Sequence, residues 1–265
     1  MSRFAPVVPL PIARWLQGES KEADLLGGYH LLLAHDVLQY PSEYKEVYGE
    51  VRIRYPNAWI ILDNSVVELG SAIPIKELVE ACRIVEPDCL VIPDVMGDAE
   101  GTERLAEEFV KRYREMFPDN KNDALMGVAQ GRFASEVRNC MYFLSSLGIK
   151  HLGIPRVVTQ YLGSRIETTL HALNGYAFDS IHLLGFSDNV LVDVCSCRIP
   201  GVAGIDSAVP IRAGLKGMHL SMDSDRDYGK RGDYWSTSSQ EISKNPGLVI
   251  DNICNFRRWI GESVA

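Results

Sequence analysis

Seven strand-sized apolar runs punctuate the chain: Tyr29–His35, Trp59–Asp63, Cys89–Asp94, Leu125–Gln130, His151–Pro155, Ile181–Gly185 and Val202–Asp206. Between them lie segments with helical apolar spacing, at Ile75–Val85, Ala99–Met116, Ala134–Leu147, Gln160–Leu173 and, more weakly, Asn189–Cys197. Strands that are apolar on both faces need helices on both sides, and a spacing of about 25–35 residues leaves room for them, so the pattern predicts a parallel sheet with helical crossovers. An eighth strand is available in Gly217–Leu220 or in the N-terminal Ala5–Leu10. Eight units close into a (β/α)8 barrel, with a doubly wound open sheet as the alternative. Such a barrel takes about 250 residues, so residues 1–265 are read as a single domain of α/β class.

Beyond residue 220 the pattern stops. Residues 221–247 are polar, with alternating charge, and are expected to form a loop. Residues 248–260 are expected to form a C-terminal helix that packs back on the barrel. A composition of 46% hydrophobic and 23% charged residues excludes a disordered chain and a disulfide miniprotein. No apolar run reaches the roughly 20 residues of a spanning helix, and Pro6, Pro9 and Pro11 interrupt any signal-peptide core. The six cysteines are expected to be reduced thiols in a cytoplasmic protein. Cys195-Ser-Cys197 offers two thiols where a structural zinc needs four ligands, so neither a metal nor any other cofactor is expected. His30, His35, His151 and His182 read as core or rim histidines. The formal charge of −8 argues against coating by nucleic acid through bulk charge.

What ends the runs is more informative. Asp63, Asp94 and Asp206 each close a strand, and Gln130 closes a fourth, followed by Gly131. In a parallel barrel these ends share the rim where active sites lie. A strand-end aspartate can also simply cap the next helix; four polar ends converging on one mouth make a site. Two carboxylates can divide the work of nucleophile and general acid/base. A third, beside a carboxamide, can read the polar edge of a purine, because the carboxylate accepts from N–H groups and the amide donates to a carbonyl.

Asp206-Ser-Ala-Val-Pro-Ile-Arg212 resembles the nucleophile segment of the tRNA-guanine transglycosylases. Met126-Gly-Val-Ala-Gln-Gly131 is similar to the family's Gly-Ile-Val-Gln-Gly strand, and Leu152-Gly-Ile-Pro155 to the glycine strand that follows it. Leu62-Asp63-Asn64 and Pro93-Asp94 fall where the family has Asp-Ser-Gly-Gly and Phe-Asp-Glu. The five segments keep the family order over about residues 59 to 214. Two departures stand out: Asn64-Ser-Val-Val replaces the glycines, and the zinc cluster downstream of the nucleophile is missing. A short chain without zinc resembles the phage and bacterial branch that inserts 7-deazaguanines into DNA.

The resemblance implies a DNA-guanine transglycosylase in a bacterial or phage-infected cell, with tRNA exchange by the same chemistry or a non-catalytic nucleotide-binding barrel as alternatives. Asp206 would form the covalent glycosyl-enzyme and Asp63 would act as general acid/base. Asp94, Gln130 and the backbone of Gly153 and Ile154 would hold the base. Lys216, Lys230 and Arg231, and Arg226 with them, would meet phosphates; Arg212 is expected to brace the Asp206 loop or join them. The partners implied are DNA, a free base such as 7-cyano-7-deazaguanine, and a helper protein that opens the duplex.

Overall fold

The computed structural model describes residues 1–18, 25–116, 124–187, 189–222, 228, 234–237, 241 and 244–263. Eight parallel strands form one sheet: β1 (Arg3–Pro6), β2 (Tyr29–Leu33), β3 (Trp59–Asp63), β4 (Cys89–Val91), β5 (Leu125–Val128), β6 (His151–Pro155), β7 (Ser180–Leu184) and β8 (Val202–Ser207). Their order is β1-β8-β7-β6-β5-β4-β3-β2, every pairing is parallel, and helices alternate with strands. This is a nearly closed (β/α)8 barrel, as the alternation predicts. The eighth strand is the N-terminal one. It starts at Arg3 rather than Ala5 and pairs with β8 in the register Ala5↔Asp206; Gly217–Leu220 forms no strand.

The described helices are α1 (Leu10–Gly18), α2 (Ala34–Gln39), α3 (Pro41–Arg54), α4 (Val66–Leu69), α5 (Ile75–Val85), α6 (Ala99–Met116), α7 (Ala134–Ser146), α8 (Arg165–Gly175), α9 (Val190–Cys197), α10 (Val209–Leu215) and α11 (Pro246–Ile260). Two of the expected helices are placed differently, and α1 to α4 and α10 lie outside the pattern-based reading. The segment from Gln160 is not one helix: a 3-10 turn, Arg156–Tyr161, precedes α8, which starts only after Ser164 caps it by accepting from the Glu167 N–H. The C-terminal helix begins at Pro246, where proline suits a first turn whose N–H needs no partner. Of the expected loop 221–247, the described part includes a 3-10 turn at Tyr234–Ser236, whose Tyr234 hydroxyl donates to the Val7 carbonyl at 2.8 Å.

Between β1 and β2 the barrel is closed by side chains instead of a ladder. The Phe4 N–H donates to the Glu262 carboxylate at 2.9 Å, and Arg257 donates to the Leu26 carbonyl at 3.1 Å. Arg257 and Glu262 also pair at 3.6 Å, so the end of α11 closes the seam. Phe256 of α11 packs against Phe4 and Phe186, with ring centroids 5.0 and 4.5 Å apart, which anchors that helix under the β1 edge.

Candidate active site at the C-terminal mouth of the barrel

Asp63, Asp94, Gln130 and Asp206 all stand at or just beyond the C-terminal ends of β3, β4, β5 and β8, on one rim. The three carboxylates lie within electrostatic reach, since Asp94 and Asp206 each disfavour the charge on Asp63. Neither Asp63 nor Asp94 caps a long helix; the carboxylate at the start of α6 is Asp98, which accepts from the Gly101 N–H at 3.0 Å.

Asp94 is 2% exposed and fully held. Asn64 Nδ2 donates to its Oδ1 at 2.7 Å and Gln130 Nε2 to its Oδ2 at 2.6 Å. Burial pushes its carboxyl up to about 6 against the pull of these two amides. Gln130 in turn accepts the Gly97 N–H on Oε1 at 3.0 Å, which fixes the amide's orientation. Gly131 follows with φ +153°, and a Cβ there would lie 2.8 Å from the Val137 nitrogen. Only glycine lets α7 start that close behind Gln130. The Asp94–Gln130–Asn64 cluster is thus a rigid polar wall: Asn64 spends both N–H groups, on Asp94 and on the Ile92 carbonyl at 2.7 Å, while Gln130 donates one of its two to Asp94.

Asp63 is half-buried, and loss of water around it raises its carboxyl well above the usual range, helped by repulsion from Glu68, Asp94 and Asp206 and opposed by the Ser65 N–H. That N–H meets Asp63 Oδ1 at 2.7 Å. Ser65 has φ +64°, in the left-handed region that glycine fills at little cost. Within Asn64-Ser-Val-Val the backbone therefore adopts a glycine-like conformation with a serine in it. Asn64 stabilises the bend by accepting the Val66 N–H at 3.0 Å.

Asp206, 6% exposed, accepts on Oδ1 from His182 Nε2 at 3.1 Å and from the Gly185 N–H at 3.0 Å. Among the described residues no donor reaches Oδ2. Behind His182 the chain continues: Tyr29 Oη lies 2.8 Å from His182 Nδ1. Tyr29 enters the barrel from β2 beneath the Arg3 guanidinium, 4.4 Å from its ring centroid. Space for the ring comes from Gly204, where a Cβ would fall 2.3 Å from Tyr29 Cε1 and 2.4 Å from the Arg3 carbonyl. His182, read from sequence as a core or rim residue, is a buried member of the site.

Gly153 and Ile154 are buried in β6, and their carbonyls accept from Ala129 N and Arg165 Nη2. Arg212 is half-buried in α10, near enough to Tyr234 to oppose the upward push that burial gives its phenol. Lys216 is exposed at the C-terminal end of α10, a helix that runs back from the rim. Arg226, Lys230 and Arg231 lie outside the described residues. On the rim beyond β4, β5 and β6, Met96, Phe133 and Val157 are exposed at 47%, 65% and 46%, and Arg132 is exposed beside Phe133. Among the described residues no group of three His, Cys, Asp or Glu side chains is arranged to hold a metal ion, and no helix is long and apolar enough to cross a membrane.

No family model matches the chain, and no curated protein matches it. Among solved structures it is similar to the carboxyl transferase domain of Rhizobium etli pyruvate carboxylase with pyruvate, at 12% identity and a TM-score of 0.50, over 98% of this chain and 48% of that one. The chain spans about half the length of that structure, and at this identity the likeness extends to the barrel fold alone.

Proposed function

We propose that this barrel is a base-exchanging transglycosylase that replaces guanine in DNA with a 7-deazaguanine. The observation that carries the reading is the division of labour among three neighbouring carboxylates. One is held by two donors with an oxygen left open (Asp206), one is biased toward its protonated form (Asp63), and one is locked between two amides (Asp94). Separating the environments of paired carboxylates is how acid and nucleophile roles are assigned in glycosyl transfer.

In the first step Asp206 Oδ2 bonds to C1′ of the deoxyribose as the C1′–N9 bond breaks. The electron pair leaves with guanine, and the proton on Asp63 passes to the departing base. In the second step N9 of the incoming base bonds to C1′, its proton returns to Asp63, and the ester oxygen leaves as carboxylate. Two inversions restore the original linkage. The Asp94–Gln130 wall receives the base.

A guanine in a duplex must leave the stack, at a few kcal/mol, before it can enter such a mouth. Phe133 and Arg132 on the rim suit an unstacked neighbouring base and its phosphate. The preference for DNA over tRNA rests on the missing zinc cluster, and the acidic surface fits a helper that opens the strands. Incubation with labelled 7-cyano-7-deazaguanine and either polymer tests this. The label is expected in DNA; label in tRNA alone would reassign the polymer, and label in neither would leave a nucleotide-binding barrel.

A further inference from the structure

Tyr29, His182 and Asp206 come from β2, β7 and β8 and form one hydrogen-bonded line through the barrel interior, with contacts of 2.8 and 3.1 Å. Each is buried, at 1%, 1% and 6% exposure. Burial holds the Tyr29 phenol strongly toward its protonated form, and its O–H proton needs an acceptor, which His182 Nδ1 supplies. A ring that accepts at Nδ1 carries its proton on Nε2, so Nε2 donates to Asp206 Oδ1. A buried tyrosine therefore selects the tautomer of a histidine that holds the carboxylate. The Gly185 N–H is the second donor to the same oxygen. Its peptide is fixed from behind by Arg165, which donates to the Leu184 carbonyl of that same peptide at 2.8 Å and is paired with Asp193 at 2.7 Å.

We propose that Tyr29 and His182 are positioning residues for Asp206, engaging Oδ1 so that Oδ2 alone is presented to the sugar carbon. This rests on the base-exchange reading. When Oδ2 becomes the ester oxygen, Oδ1 becomes the ester carbonyl and keeps both donors. When the ester breaks, the same donors receive the charge returning to the carboxylate. Neither residue touches the base, which the Asp94–Gln130 wall holds, so their loss acts on turnover rather than on base binding.

The test pairs nitrogen-15 NMR of the histidine rings with exchange kinetics on wild type, Tyr29→Phe and His182→Gln. In the wild type at neutral pH, His182 is expected as the neutral Nε2–H tautomer; in Tyr29→Phe its Nδ1 signal should move as the phenol donor is lost. Tyr29→Phe should lower kcat by roughly 10-fold to 100-fold with the KM for the free base unchanged. His182→Gln, whose amide still donates to Asp206, should retain more activity than His182→Ala. An Nδ1–H or doubly protonated His182 in the wild type overturns the proposal. So does Tyr29→Phe with wild-type kcat, even if it melts earlier, since that marks a purely structural contact. In either case a wild type that exchanges base keeps the base-exchange reading intact. A wild type inert on both DNA and tRNA overturns that reading and this proposal with it.

Discussion

The Nε2 of His182 lies 3.1 Å from Oδ1 of Asp206, although the two side chains leave different strands and both are closed in by the barrel. The contact holds one oxygen of Asp206, and among the described residues no donor reaches the other. Exchange activity should depend on it directly. Asp206→Asn keeps the shape of the side chain and removes the nucleophile. Its exchange rate should fall by at least about 10³-fold with an unchanged melting curve. Measuring both on the same preparation separates chemistry from folding.

Asp63 is biased toward protonation by loss of water first and by Glu68 second. If Asp63 delivers the proton to the departing guanine, activity is present while it is protonated and is lost as pH rises through its raised titration. Glu68→Gln removes a negative neighbour and makes ionisation easier. The alkaline limb of the pH–rate profile should therefore shift to lower pH in that variant, and an unmoved limb would assign the proton to another group.

Gln130 donates to a buried carboxylate at 2.6 Å. Gln130→Ala strands that charge and should cost about 1.5–3 kcal/mol in chemical denaturation. It should also raise the KM for the free base more than it lowers kcat.

His30 is buried against the Tyr48 ring at 5.3 Å, and burial lowers its titration from 6.5 to about 3. The unfolded chain therefore binds a proton that the folded one refuses between those values. Stability present above pH 6.5 should fall on acidification by about 1.4 kcal/mol per pH unit from this group alone. Asp94 acts in the opposite sense over part of the range, because its folded titration is raised to about 6. The comparison that isolates His30 is wild type against His30→Leu, whose stability should drop less between pH 7 and 5.

Arg165 and Asp193 are fully buried as a pair. Asp193→Ala leaves the guanidinium uncompensated and should destabilise by about 3–5 kcal/mol. Because Arg165 also grips the Gly185 carbonyl, a variant that still folds should lose exchange activity as well, read as a fall in kcat.

The fold was legible where strands are buried on both faces: β3 and β6 span the apolar runs, and α5 and α6 span the periodic segments. The N-terminal helices were harder to see. Pro9 and Pro11 obscure α1, and α3 hides its buried stripe of Tyr44, Val47, Tyr48 and Val51 behind two tyrosines that read equally well as surface. That spacing, three and four residues apart after Pro41, was the available signal. Strand-ending polar residues pointed to the rim, since alternation and direction place them there. His182 gave no such signal. Within Ser180-Ile-His-Leu-Leu it reads as strand filling, and its partner Tyr29 is 153 residues away. Asn64 likewise passed as a departure from a glycine motif until its amide was seen on Asp94.

The most direct measurement is mass spectrometry of protein quenched in acid during exchange with guanine-containing DNA. The account predicts a deoxyribosyl adduct on the peptide that contains Asp206, formed by the wild type and absent from Asp206→Asn. An adduct on any other side chain, or exchange that proceeds in the Asp206→Asn protein, would contradict it.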